Sequence, residues 1–168
     1  MAKYRDIPKY IHCNYAVDQP IDMMENTLQR YAEMGLDLDP DFQRAHVWTP
    51  EQKSRYVEFL FREGQSGRDL YFNCVGWMAS YKGPFVIVDG KQRLQAIRDF
   101  LADKVRIFGS LRSEYEGKVP PFLTVKFHIN NLRTRKEVLQ WYLDLNAGGT
   151  VHTNDELDKV RRLLEAEG

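Results

Sequence analysis

The stretch FVIVDGKQRLQAI, residues Phe85–Ile97, is the most informative part of the sequence. Its first part is rich in Val and Ile and ends in a carboxylate, Asp89, a pattern that predicts a buried strand. Gly90 interrupts this pattern, and apolar residues recur at helical spacing from Leu94 onward. The stretch therefore predicts a strand, a glycine turn and a short helix in direct succession.

The turn between this strand and helix has the chemistry of an anion site. A helix N-terminus offers unpaired backbone N–H groups and a partial positive charge. Gly90 lets the backbone approach a ligand closely, and Lys91 and Arg93 add cationic donors, of which arginine can grip a phosphate with two hydrogen bonds. Asp89 would repel a phosphate unless it bridges to Mg²⁺ or orients Arg93. A plainer interpretation, with Asp89 as a helix cap and Arg93 as a surface charge, stays open. The P-loop pattern is absent.

A second segment, DPDFQRAHVWTPEQ (Asp39–Gln52), places Gln43 and Arg44 among apolar anchors shortly before a helix. One interpretation is a second wall of the same pocket, with Arg44 as a phosphate donor. The other is a loop whose aromatic residues pack into the core while Arg44 forms a salt bridge.

A third segment is the loop LNAGGTVHTNDE (Leu145–Glu156). Two glycines that follow an asparagine and precede a helix can form an anion-binding nest of N–H groups. A helix C-cap followed by a turn has the same composition. Taken alone, the loop favours the C-cap.

Composition bounds the class of protein. Of 168 residues, 43% are hydrophobic and 29% charged, enough for a buried core. Because 24 Lys and Arg balance 24 Asp and Glu, we do not expect a protein that coats nucleic acid by bulk charge. No apolar run is long enough to cross a bilayer, the first residues lack a signal core, and two cysteines are too few for a disulfide scaffold. A cytoplasmic protein without a membrane partner is expected.

The remaining patterns predict an α+β fold, with helices and short strands mixed without βαβ regularity. The segment 1–18 is interpreted as an arm or an edge strand, and Pro20 as the start of the first helix. Strand-like runs at 70–77 and 84–90 form a hairpin, and Val105–Leu111 adds a strand. Two capping boxes start later helices, at Thr49 and at Thr153. The candidate core face of the first of these comprises Tyr56, Phe59 and Leu60.

Other residues that carry chemistry receive plainer interpretations. The four histidines show no zinc-binding spacing. Trp48, Trp77 and Trp141 are interpreted as core residues rather than base-stacking platforms, and Cys74 as a core residue of a strand. The basic cluster around Arg133 suits either nucleic-acid contact or a solvated helix start.

In their order along the chain, FQRAHVW, VIVDGKQRLQAI and LNAGGTVHTNDEL resemble the DGQQR-motif proteins, the domain found in GmrSD-type restriction enzymes and other phage-defence nucleases. That family is similar in turn to the ParB/sulfiredoxin-like fold. The resemblance covers roughly 39–157 and implies a small mixed sheet with flanking helices. Residues 1–168 are interpreted as a single domain of this type.

The resemblance also implies site residues and an activity. The matching positions are Asp89, Gly90, Gln92 and Arg93 for the DGQQR signature, Gln43 and Arg44 for the QR pair, and Asn146, Gly148, Gly149 and Thr150 for the late N-x-G-G-T loop. They imply nucleotide binding and often NTP hydrolysis, coupled to DNA cleavage in the defence enzymes. Lys91 departs from the signature by replacing its first Gln. The sequence also holds no HNH-type His/Asn cluster, so nuclease activity is not carried over.

The sequence thus predicts that a nucleoside triphosphate binds at the start of the helix Lys91–Ala102. Arg93 and Arg44 hold the phosphates with help from Lys91, Asp89 carries Mg²⁺ or orients the attacking water, and Gln92 positions that water or a phosphate oxygen. The alternatives are a metal-dependent DNA endonuclease or nickase, a phosphotransferase, and a non-catalytic regulatory module. DNA, a protein partner or a second copy of the chain are the further candidate partners.

Overall fold

The computed structural model describes residues 3–11, 13, 15–44, 47–147 and 154–168. Its strands are β1 (Tyr15–Pro20), β2 (Leu36–Asp37), β3 (Asp69–Cys74), β4 (Phe85–Asp89) and β5 (Thr124–Asn130). Its α-helices are α1 (Met24–Glu33), α2 (Pro50–Phe61), α3 (Lys91–Leu101), α4 (Arg135–Asn146) and α5 (Asn154–Ala166). The expected α+β class is confirmed.

The strands form one mixed sheet in the order β1-β5-β3-β4-β2. The predicted hairpin is the antiparallel pair β3–β4, and β1 runs antiparallel to β5. The pairs β3–β5 and β2–β4 are parallel. Strand β4 lies between β3 and β2, and in the pairing of β4 with β3 its last residue, Asp89, lies opposite Tyr71. The strand end that carries the predicted site is thus supported by a neighbouring strand.

Alternation along β3 divides the core into two layers. Leu70 and Phe72 face a cluster that also contains residues of α1, α2 and α3. Tyr71 faces a second cluster, built on Val88 of β4 and residues of α4 and α5. Full burial of one such side chain contributes roughly 1.5–3 kcal/mol, so the two layers hold the sheet end firmly between two sets of helices.

Local sequence signals start two of the helices. Thr49 caps α2: its side chain accepts a hydrogen bond from the backbone N–H of Gln52, and Oε1 of Gln52 accepts one from the backbone N–H of Thr49. Thr134 and Glu137 form the same reciprocal box at α4. Thr153, predicted to cap α5, lies outside the described residues. The box at α2 places Trp48 directly before a fixed helix start.

Two predicted elements differ from the structure. Pro20 ends the edge strand β1 instead of opening α1, which follows a 3₁₀ turn at Ile21–Met23. An edge strand tolerates proline because one side of it needs no backbone donor. Val105–Leu111 contains only an isolated bridge between Ile107 and Ser110, whose mutual hydrogen bonds close a tight turn. Among the described residues, no helix is long and apolar enough to cross a membrane.

Candidate functional site

A cavity of about 520 Å³ lies at the N-terminus of α3. One wall is the end of β4 with the first turn of α3, a second is the loop before α2, and a third is α2 itself. The end of α4 contributes Asn146. The predicted residues that line the cavity are Gln43, Arg44, Asp89, Gly90, Lys91, Gln92, Arg93 and Asn146. Gly148, Gly149 and Thr150 lie outside the described residues.

Gly90 is the N-cap of α3 and needs to be glycine for two reasons. Its φ of 98° is in the left-handed region, which side chains disfavour. A Cβ at this position would lie 2.2 Å from Cδ2 of the buried Leu70 and 3.3 Å from Nη2 of Arg93. Among the described residues, no side chain caps this helix. The helix start is therefore a close-packed backbone turn at the cavity wall.

Asp89 orients Arg93. The Asp89 carboxylate Oδ2 accepts a hydrogen bond from Nη2 of Arg93 at 2.6 Å, one helical turn along the chain. Both side chains are partly exposed, at 30% and 22%. The sequence left several roles open for Asp89. In the structure it orients Arg93, and its side chain does not cap α3.

Lys91 is buried, with only 5% of its side chain exposed. Its ammonium group pairs with the carboxylate of Asp39 and donates to the backbone carbonyl of Arg44 at 3.0 Å. A buried charge is tolerated only when it is paired in this way. Lys91 therefore fixes the backbone that carries Arg44, and its predicted contact with a phosphate stays a prediction.

Gln92 is also buried and holds the same loop. Its Oε1 accepts hydrogen bonds from the backbone N–H groups of Val47 at 3.1 Å and Trp48 at 3.3 Å. The first turn of α3 thus fixes the chain on either side of residues 45–46. The predicted role of Gln92 in positioning water is not tested by these contacts.

Gln43 ties the other end of this loop to the sheet. Its Nε2 donates to the backbone carbonyl of Val88 at 2.6 Å and to that of Ile87 at 3.2 Å. The two residues of the QR pair therefore have different roles: Gln43 anchors the loop to β4, and the side chain of Arg44 lines the cavity.

Arg44 makes an ion pair with Glu156 of α5 at 3.5 Å. Tyr142 of α4 lies nearby: burial raises its pKa to about 12, and the charge of Arg44 partly offsets that rise. Each cation that lines the cavity therefore has a carboxylate partner, Glu156 for Arg44, Asp39 for Lys91 and Asp89 for Arg93. An incoming anion would exchange with these carboxylates rather than meet bare positive charge.

Aromatic residues form the part of the cavity that sequence reasoning missed. Trp48, Tyr56 and Phe59 line it. The sequence predicts Phe59 in the core face of α2, and this prediction is wrong: Phe59 is 40% exposed, and the buried residues of the helix are Val57 and Leu60. The capping box and the three-residue spacing of Tyr56 and Phe59 are the signals that could have placed these rings together.

Trp77, Trp141 and Cys74 are buried, as predicted for core residues. Trp48, also predicted to be a core residue, is only partly buried and lines the cavity. In the described part of the chain, no group of three or more His, Cys, Asp or Glu side chains is arranged to hold a metal ion.

The fold and this cavity define a class: an α+β domain of ParB-like type, with a pocket between a loop and a helix N-terminus. The family model described as "GmrSD restriction endonuclease, N-terminal domain" matches residues 24–137, and the chain belongs to this family. The match includes the QR pair and the whole DGKQR turn and ends before Asn146. No curated protein and no solved structure gives a significant match to the chain.

Proposed function

We propose that the chain binds a nucleoside triphosphate in the cavity at the start of α3 and hydrolyses it, within a restriction system of the GmrSD type. The supporting observation is that two segments far apart in sequence, Gln43–Arg44 and Asp89–Arg93, line one cavity of about 520 Å³. That volume falls in the range of small-molecule and cofactor pockets.

The phosphate groups would be held by Arg93 and Arg44 and by the backbone N–H groups that open α3. Arginine offers two parallel donors to a phosphate, and a helix N-terminus adds further donors with a partial positive charge. Asp89 holds the Arg93 guanidinium at 2.6 Å before the ligand arrives. A pre-oriented arginine loses less side-chain entropy on binding, which favours affinity.

Hydrolysis in such a site depends on positioning and charge stabilisation, because phosphoryl transfer needs little covalent help from the protein. Mg²⁺ bound to the nucleotide would offset the repulsion between the phosphates and Asp89. Arg93 and Arg44 would stabilise the charge that develops on the phosphate oxygens. Gln92, which holds Val47 and Trp48 in place, would keep the Arg44 loop in register with α3.

The test is a calorimetric titration of the chain with ATP, GTP, CTP and UTP in Mg²⁺, repeated on Arg93→Ala. At least one nucleotide should bind, and the variant should bind it about 100-fold more weakly, the loss expected for charge-assisted hydrogen bonds. The matched control is Arg98→Ala, which removes an ion-paired arginine of the same helix but not of the cavity lining.

Phosphate release distinguishes hydrolysis from binding alone. The chain should release phosphate with the nucleotide that it binds, and Arg93→Ala should not. Unchanged binding by Arg93→Ala, with a normal melting curve, would contradict the proposed site. Transfer of phosphate to another molecule, or nicking of plasmid DNA without nucleotide, would support the kinase or nuclease alternative instead.

A further inference from the structure

We propose that the aromatic side of this cavity is a base subsite, so that the ligand carries a flat heteroaromatic ring as well as phosphates. The inference rests on the proposed function and assigns the base of the nucleotide to particular residues, which the phosphate contacts alone do not do. A base contact distinguishes nucleotides from base-free polyphosphates and from the backbone of duplex DNA.

The cavity lining has two chemically different parts, carried by different elements. What we call the charged side is Asp89 and Arg93 at the turn from β4 to α3, with Arg44, and the aromatic side is Trp48, Tyr56 and Phe59, directly before α2 and within it. A ligand that suits both needs an anionic end and a planar apolar body. A nucleotide has these two parts, whereas an inorganic polyphosphate has only the first.

The aromatic rings are held in place before any ligand binds. The Tyr56 hydroxyl donates to the backbone carbonyl of Gly67 at 2.8 Å. The Trp48 ring meets the Tyr56 ring edge-on, with 5.5 Å between centroids and 62° between planes. Rings fixed in this way can stack on a base without losing further side-chain entropy.

Phe59 is the ring that the core does not explain. It is 40% exposed although α2 buries Val57 and Leu60. A Cβ built on Gly64 would lie 2.2 Å from Cζ of Phe59, so the ring packs directly on Gly64 and a side chain there would displace it. A large apolar side chain that is positioned this closely and yet left at a cavity wall is typical of a ligand contact.

The two sides of the cavity are contiguous. Burial raises the pKa of Tyr56, and the guanidinium of Arg93 partly offsets this rise, which places the arginine within electrostatic reach of the ring. Ser66 and Gly67 also line the cavity near this aromatic side. A hydroxyl both donates and accepts hydrogen bonds, so Ser66 can serve the polar edge of a base.

The experiment compares two probes in Mg²⁺, inorganic tripolyphosphate and the nucleotide that binds best among ATP, GTP, CTP and UTP. Each is titrated by calorimetry into the wild-type chain, Phe59→Ala and a control, Phe122→Ala, which removes an exposed ring outside the cavity. The wild type should bind the nucleotide about tenfold or more tightly than tripolyphosphate, because stacking contributes about 1–3 kcal/mol per base. Phe59→Ala should lose about tenfold in nucleotide affinity and none in tripolyphosphate affinity, and Phe122→Ala should change neither.

Equal affinity for the two probes, or an equal loss of both in Phe59→Ala, would overturn the base subsite and leave the phosphate site standing. Failure of the wild type to bind either probe would overturn the proposed function itself. Trp48→Phe provides a second readout that does not depend on the folding of Phe59→Ala. Nucleotide should quench the tryptophan fluorescence of the wild type, and this variant, titrated to saturation with the same nucleotide, should lose the quenching. Quenching that persists in Trp48→Phe would contradict the stacking.

Discussion

Helix α3 carries an arginine near each end, and the two have different surroundings. Arg98 donates to both carboxylate oxygens of Glu25 in α1, at 2.7 and 3.2 Å, and so ties two helices together. Arg93 pairs with Asp89, one turn back along the chain, and lines the cavity. A cation near a helix C-terminus is stabilised by the helix dipole, whereas a cation in the first turn is destabilised by it. Arg98 thus serves the fold, and the position of Arg93 suits an anionic ligand better than it suits stability.

The largest effect on stability should come from a change to the backbone at the N-terminus of α3, the end that carries Arg93. Gly90→Ala should lower the free energy of unfolding by about 2–4 kcal/mol, since the left-handed conformation costs about 1 kcal/mol and the contact with buried Leu70 adds about 1–3 kcal/mol. Urea unfolding followed by circular dichroism measures the loss.

Gly35→Ala is the matched control. Gly35 has φ 90° but nothing within 4 Å of a built Cβ, so this variant should lose only about 1 kcal/mol. Equal losses of unfolding free energy at the two positions would show that the contact between Leu70 and the turn adds nothing to the cost of a side chain at Gly90.

A smaller effect is expected at Gln92. Gln92→Leu removes the acceptor for the N–H groups of Val47 and Trp48, which should lower stability by about 2 kcal/mol and nucleotide affinity by about tenfold. Thermal denaturation and calorimetry report the two losses separately. Gln92→Glu keeps an acceptor oxygen and should melt within a few degrees of the wild type. A Gln92→Leu variant that keeps both stability and affinity would show that the loop does not depend on this side chain.

The smallest effect is expected at the far half of α3. Burial alone would raise the pKa of Asp99, but hydrogen bonds from Lys53 and Gln95 outweigh it and hold the pKa below its ordinary value of 3.8. Because the folded-state pKa is lowered, this stabilisation is present above about pH 4 and is lost as pH falls through the folded-state pKa. Asp99→Asn should lower the unfolding free energy by about 1 kcal/mol at pH 7.

Urea unfolding at several pH values checks this sign. The difference between wild type and Asp99→Asn should shrink below about pH 4, and nucleotide affinity at pH 7 should stay within about twofold. A difference that grows in acid would contradict the assignment of the stabilisation to the charged form of Asp99.

Sequence predicted the elements whose signals are local. The capping box at Thr49 places the start of α2, and the change of period at Gly90 places the start of α3. Pro20 was misplaced because its tolerance in a strand depends on β1 being an edge strand, which only the assembled sheet reveals. The parallel pairing of β3 with β5 likewise joins strands far apart in the chain.

For the cavity, the sequence predicted which charged residues lie together, but it did not predict the contacts that each of them makes. Lys91 has the spacing of a phosphate donor, yet its ammonium is used by Asp39 and the backbone of Arg44, contacts that span about fifty residues of chain. Phe59 follows the helical period of a core residue and nevertheless lines the cavity. Periodicity identifies a helix face, but it does not tell which neighbour, or which ligand, will cover that face.

The central claim, that Arg44 and Arg93 grip one anion, is tested most directly by extending the nucleotide titration of Arg93→Ala to a double-mutant cycle with Arg44→Ala. If both guanidinium groups hold the same phosphates, each single variant should lose affinity about tenfold or more, and the double variant should lose less than the sum of the two free-energy losses. A contradiction would be wild-type affinity in either single variant, or strict additivity of the two losses.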